Sequence, residues 1–137
     1  MKQLLLKYPA TPEAAPEHAQ LCVSAVRNIE GFTLDYSEES LAKLDEIIEK
    51  LRQDGVSSEQ IAETLFSFGC YVGEVFVRHA SGRWRLTAET PMARAAGFPL
   101  VIQLSAKAYC NPIDKVFKRL EEGKEHELTY FYRVFTA

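Results

Sequence analysis

Cysteine is scarce in this chain: Cys22, Cys70 and Cys110 are the three present, odd in number and far apart. A disulfide framework is therefore excluded, and so is a zinc or redox motif built on paired cysteines. They read as reduced, buried thiols. Long apolar runs are also missing, because Glu74 interrupts the longest, within residues 61–79. Nothing approaches the roughly 18 residues that a membrane span requires. Near the start, Lys7 closes the short apolar block of Leu4, Leu5 and Leu6, which is too brief for a secretory core. A cytoplasmic location is expected. No glycine-rich loop precedes a lysine in the order that cradles phosphates. His18, His79 and His126 share no ligand spacing, so no metal and no cofactor are expected.

What is present suits one globular domain. The 137 residues are enough for a single core, and six tyrosines, eight phenylalanines and one tryptophan can fill it. The net charge of −3 hides a strong asymmetry. Residues 1–77 carry 6 basic and 13 acidic side chains, whereas residues 78–119 carry 8 basic and 2 acidic. Two such stretches attract each other within one fold; alternatively, the basic one forms a face for an acidic partner.

Half of the six prolines, Pro9, Pro12 and Pro16, lie in residues 1–16. That segment is expected to be extended or loosely attached, ahead of a single α+β domain over residues 17–137. A helix over about residues 16–29 offers two competing faces, Leu21–Ala25–Asn28 and Cys22–Val26–Ile29, before Gly31 ends it. Phe32, Leu34 and Tyr36 alternate as a short strand or an extended lead-in. Ser37 is a cap for a helix carrying Leu41, Leu44, Ile48 and Leu51, which ends near Asp54 and Gly55. Ser57 and Gln60 match a capping box, so the central helix is placed at about 58–79. Its middle has almost no polar stripe, which marks a helix packed on most sides.

Beyond Gly82, Trp84 and Leu86 alternate with Arg83 and Arg85 as a half-buried strand. A helical turn is expected through Met92 to Ala96. Residues 100–104 form a stronger apolar strand that is expected to continue to Tyr109. Asn111 and Pro112 open a fourth helix, with Ile113, Val116, Phe117 and Leu120 inward and Lys115, Lys118 and Arg119 on or near the outer face. Leu128, Phe131, Tyr132 and Phe135 then repeat at helical spacing. The fold class is α+β: four or five helices packed on one side of a small antiparallel sheet, with the central helix buried.

Several of these residues carry a resemblance. The run Phe68, Gly69, Cys70, Tyr71, Val72, Gly73, Glu74 and Val75, then Gly82 and Trp84, then Asn111, Pro112, Lys115, Val116, Lys118, Arg119 and Leu120, resembles a group of small bacterial domains of unknown function. Leu34, Asp35, Tyr36, Ser37 and Ser40 are similar to the lead-in helix of that group. The resemblance spans roughly residues 32–135 and implies a bacterial source and no known reaction.

Glu74 is the oddest residue in the chain. A carboxylate inside an apolar helix must find partners or cost several kcal/mol. Arg78 stands four residues on, in the favourable order, and Trp84 and Arg119 are the other donors considered. Glu74, Arg78, Trp84 and Arg119 therefore form the candidate polar cluster, structural or functional. Gly69 and Gly73 lie on one helix face and admit close packing. Thiol catalysis is not expected: nine residues of helix would hold Cys70 and His79 about 13 Å apart. Glu125, His126 and Glu127 read as a surface charge cluster. No catalytic set emerges, and the expected function is non-enzymatic recognition of another protein, as an immunity or accessory factor. Two alternatives stay open. One is a small-molecule binder or enzyme with Glu74 at the base of a cleft, covered by Trp84 and Tyr71. The other is nucleic-acid binding through the basic 78–119 region, using Arg83, Arg85, Arg94, Lys107, Lys115, Lys118 and Arg119 with Trp84 or Tyr109 for stacking.

Overall fold

The computed structural model describes residues 6–95 and 97–137. Five helices run in chain order: α1 (Ala15–Glu30), α2 (Ser40–Gln53), α3 (Ala62–His79), α4 (Pro112–Glu122) and α5 (Leu128–Thr136). Three strands, β1 (Arg83–Leu86), β2 (Leu100–Gln103) and β3 (Tyr109–Cys110), form an antiparallel sheet in the order β1-β2-β3. This is the α+β arrangement that the periodicities predict. Among the described residues no helix is long and apolar enough to cross a membrane.

The α3 helix is the axis of the core, enclosed by α1, α4 and the sheet. Every residue from Leu65 to Phe76 is buried, so the missing polar stripe reflects contact on all sides. The capping box does form: Ser57 N–H donates to Gln60 Oε1 at 2.9 Å and Gln60 N–H to Ser57 Oγ at 3.3 Å. It closes a turn, however, and regular helix begins at Ala62, four residues later than expected at 58. Ser37 caps α2 through Ser40 N–H at 3.1 Å, and Asn111 Oδ1 accepts the Asp114 N–H at 3.1 Å at the start of α4.

Three local expectations are corrected and one open alternative is resolved. Residues 6–14 are not loosely attached: Leu6 and Ala10 pack on the core, and the Pro9 carbonyl lies 2.9 Å from His18 Nε2. The first turn of α1 already includes Ala15 and Pro16, so the boundary at 16/17 falls inside a helix. Residues 1–5 of that expected extended segment, and Ala96 of the expected turn after Pro91, lie outside the described residues. Phe32 to Tyr36 form a lead-in and no strand, since they lie in neither ladder of the sheet. The strand from Leu100 does not continue to Tyr109: the chain turns back at residues 104–108 through Leu104 N–H to Ala108 O at 2.7 Å, and Tyr109 pairs with Gln103.

On α1 the face containing Cys22 and Val26 is the buried one, joined by His18, while Ile29 projects with 79% of its surface exposed. All three cysteines are free and buried.

Gly69 and Gly73 bring α3 against its neighbours. A Cβ on Gly69 would lie 2.6 Å from the Ile113 Cα at the start of α4. A Cβ on Gly73 would overlap the six-membered ring of Trp84 outright. Gly73→Ala is expected to displace the indole and destabilise the fold by about 1–3 kcal/mol, as overpacking does. Denaturant melts with a shifted tryptophan emission check it; an unchanged midpoint would show that the ring is free to move.

Candidate functional site

Trp84 does more than fill the space left by Gly73. Its Nε1–H donates to Glu74 Oε2 at 2.9 Å, so indole and carboxylate are fixed together between α3 and β1. Glu74 is 6% exposed. Among the described residues no buried side-chain nitrogen or oxygen lacks a hydrogen-bond partner. Of the expected cluster, the structure joins Glu74 and Trp84 and separates the other two members.

Arg78 makes no ion pair with Glu74 and instead lays its guanidinium 3.6 Å from the centre of the Tyr36 ring. Tyr36 stacks in turn on Tyr71, with ring centres 4.7 Å apart. Its backbone is left-handed at φ 64, an uncommon state for a bulky residue that persists only when neighbours fix it. Here they do: Tyr36 N–H donates to Tyr71 Oη at 2.8 Å, and the Tyr36 carbonyl lies 3.0 Å from His79 Nε2. Ser40 Oγ–H donates to the Ser37 carbonyl at 2.6 Å, so at the 2.6 Å Ser40–Tyr71 contact the phenol is the donor. Burial pushes the Tyr71 phenol up to about 12.

Arg119 lies inside the molecule, 2% exposed, where an outer face was expected. It sits one residue before Leu120 on α4 and points to α2. Its Nε donates to Asp45 Oδ1 at 3.1 Å, Nη1 to Glu49 Oε1 at 2.8 Å and Nη2 to the Asp45 carbonyl at 3.3 Å. Asp45 also accepts Leu128 N–H at 2.8 Å, Thr129 N–H at 3.2 Å and Thr129 Oγ–H at 3.1 Å. The first two are otherwise unpaired amides at the start of α5, so one carboxylate on α2 neutralises Arg119 and caps α5. Sequence reasoning missed Asp45. The available signal was its place four residues after Leu41 and three before Ile48, within the apolar stripe of α2.

No family model, curated protein or solved structure matches the chain. Its chemistry therefore rests on its own geometry. The thiols are poor nucleophiles: burial raises Cys70, with the Glu74 charge adding to it, burial also raises Cys22, and burial alone pushes Cys110 up to about 12. Glu122, Glu125 and His126 bring ligand atoms within 4.8 Å of one another. A cation there would compete with the Lys115 ammonium, 3.0 Å from His126 Nδ1, and with the 2.9 Å contact between His126 Nε2 and Glu122.

The basic residues of 78–119 are scattered among local partners. Arg119 is enclosed, Lys118 lies 3.3 Å from Asp114, and Arg85 bridges to Gln103. Trp84 has its ring edge on Gly73 and its N–H on Glu74, which leaves it poorly placed to stack on a base.

The surface does carry an apolar groove of about 380 Å³ between the end of α1, α2 and the start of α3. Val26, Ile29, Ile47, Leu51, Ile61 and Phe68 line it, with Glu30, Lys50 and Asp54 also at its margin. The outer side of α5 exposes Tyr130, Val134 and Phe135.

Removing one partner of a buried charge pair leaves the other unmatched, so Asp45→Ala is expected to cost about 3–5 kcal/mol in denaturant melts, and Thr129→Val about 1. Glu74→Ala is expected to cost about 1–3 kcal/mol, and less in a Trp84→Phe background, where no indole N–H is left unpaired. The Arg119 hydrogen bond holds the Glu49 carboxyl below its ordinary range, helped by Gln53 and by the charges of Arg119 and Arg52 against partial burial. A depressed carboxyl stabilises the fold above its unfolded value and loses that contribution as pH falls through the folded one. Glu49→Gln should therefore flatten the drop in melting temperature below about pH 4–5; a parallel acid limb would remove Glu49 from it.

Proposed function

We propose that this chain is a non-enzymatic domain that recognises another protein, an immunity or accessory factor working in the cytoplasm. The observation that carries this reading is the apolar groove between α1, α2 and α3, with Ile29 standing almost fully exposed beside it. An isoleucine left in water on a groove lined by five further apolar residues gains about 1.5–3 kcal/mol when a partner covers it. The surroundings indicate the kind of segment that fits. Residues 15–68 carry 11 acidic and 4 basic side chains, and Arg119 matches only Asp45 and Glu49 of the acids. An apolar segment flanked by lysine or arginine complements that surface in both shape and charge.

The rival, a small-molecule binder or enzyme built on Glu74, has less support. The carboxylate is taken up by Trp84, and Glu74 does not line the surface grooves of about 500, 380, 340 and 210 Å³. Nucleic-acid binding has less still, since the basic residues are dispersed and the groove's surroundings are acidic.

Immobilised protein should retain one stoichiometric partner from a lysate of the source organism, and Ile29→Glu should lose that partner while its circular-dichroism melt stays unchanged. Retention that is equal for both proteins, or no stoichiometric partner at all, overturns the reading.

A further inference from the structure

Lys115, His126 and Glu122 form a hydrogen-bonded row where α4 meets the turn that leads to α5. Lys115 Nζ lies 3.0 Å from His126 Nδ1, and His126 Nε2 lies 2.9 Å from Glu122 Oε1. Only one arrangement of protons satisfies both contacts with a neutral ring: Nε2–H donates to the carboxylate and Nδ1 accepts from the amine. The fold produces this row. Gly123, at φ 104, ends α4, and the 3₁₀ turn Lys124–His126 folds back so that the imidazole reaches an amine two turns up the same helix. On the α5 side the ammonium lies 5.5 Å from the centre of the Phe131 ring.

We propose that Lys115 is an acylation site that promotes its own modification, taking an acyl group from a small activated donor, an acyl phosphate or an acyl thioester. Carboxylate, imidazole and nucleophile in this order are the arrangement by which a sluggish nucleophile is activated. The neutral Lys115 nitrogen attacks the acyl carbonyl carbon, and a nitrogen–carbon bond forms as the bond from that carbon to the phosphate oxygen or thiolate sulfur breaks. The proton released by the nitrogen passes to His126 Nδ1 and then to the departing phosphate or thiolate. Glu122 is a positioning residue, which fixes the tautomer and steadies the imidazolium. No electron is gained or lost.

The surroundings favour a free amine. Burial, followed by the nearby charge of Lys118, holds Lys115 below the usual lysine range, against the opposing charges of Asp114 and Glu122. From the adjoining turn the facing groups are His126 and Glu125, and α5 contributes the uncharged Phe131. Acylation would remove the cation from the Phe131 ring, at the contact between α4 and α5. None of the three row residues lines the α1–α2–α3 groove, so this site stands or falls independently of the docking reading.

The full chain is incubated with acetyl phosphate in one arm and acetyl coenzyme A in the other, and acetylation of each lysine is followed by peptide mass spectrometry. Lys115 is expected to react at least about tenfold faster than Lys43, Lys50, Lys107, Lys118 or Lys124 with one donor or both, and the faster arm names the donor. His126→Ala should bring Lys115 down to the rate of the others, and Glu122→Gln should give an intermediate rate. The Lys115 rate should also level off below the pH range in which an unperturbed lysine does. A wild-type Lys115 rate within twofold of Lys107 in both arms overturns the proposal, whatever the variants do. So does an undiminished rate in a folded His126→Ala protein.

Discussion

The carboxylate of Asp45 is the contact on which the C-terminal half of the molecule depends. From the buried side of α2 it receives the Arg119 guanidinium of α4 and the first two amides of α5. An unpaired carboxylate there would be costly, and so would an unpaired guanidinium or a buried helix start without acceptors. Each group relieves the others, which fixes three helices to one point. Glu49, one turn further along α2, takes up the remaining arm of Arg119 and places the network's edge toward solvent. Here Arg119 of the basic stretch meets Asp45 and Glu49 of the acidic one, inside the fold.

The opposite side of the core is organised by absent side chains. Gly69 lets the start of α4 rest on α3, and Gly73 lets the edge of the Trp84 indole reach its backbone. That close approach of the ring edge to Gly73 brings the indole N–H to Glu74, so the polar bond and the apolar contact have one geometric origin. Arg78 is left to cover the Tyr36 ring, and Tyr36 is held in a left-handed conformation by Tyr71 below and His79 beside it. With its polar atoms engaged in this way, the interior around α3 is a packing device. The exposed apolar side chains lie outside it, at the α1–α2–α3 groove and on the outer side of α5.

Much of the fold was legible in the residues. The capping signals at Ser37, Ser57 and Asn111 form as bonds, the helical spacing from Leu128 gives α5, and the alternation at Trp84 gives β1. Each of these is local: it depends on residues within a few positions, whose geometry the chain itself imposes. The alternation of Phe32, Leu34 and Tyr36 left a strand and an extended lead-in both open, and the lead-in forms because those residues have no neighbour in the sheet. The run from Leu100 misled because no glycine, proline, asparagine or aspartate marks the turn at residues 104–108, which its backbone bonds create.

By itself the sequence determined where the five helices and the first strand lie, that α3 is enclosed, and that Glu74 requires a donor. Tertiary structure decided which donor answers: Trp84 for Glu74, Tyr36 for Arg78, and Asp45 with Glu49 for Arg119. A charge on a helix has several partners within reach of sequence spacing, and the choice depends on which elements pack together in three dimensions. Asp45 and Arg119 stand 74 positions apart, and no local rule joins them until α2 and α4 share a core.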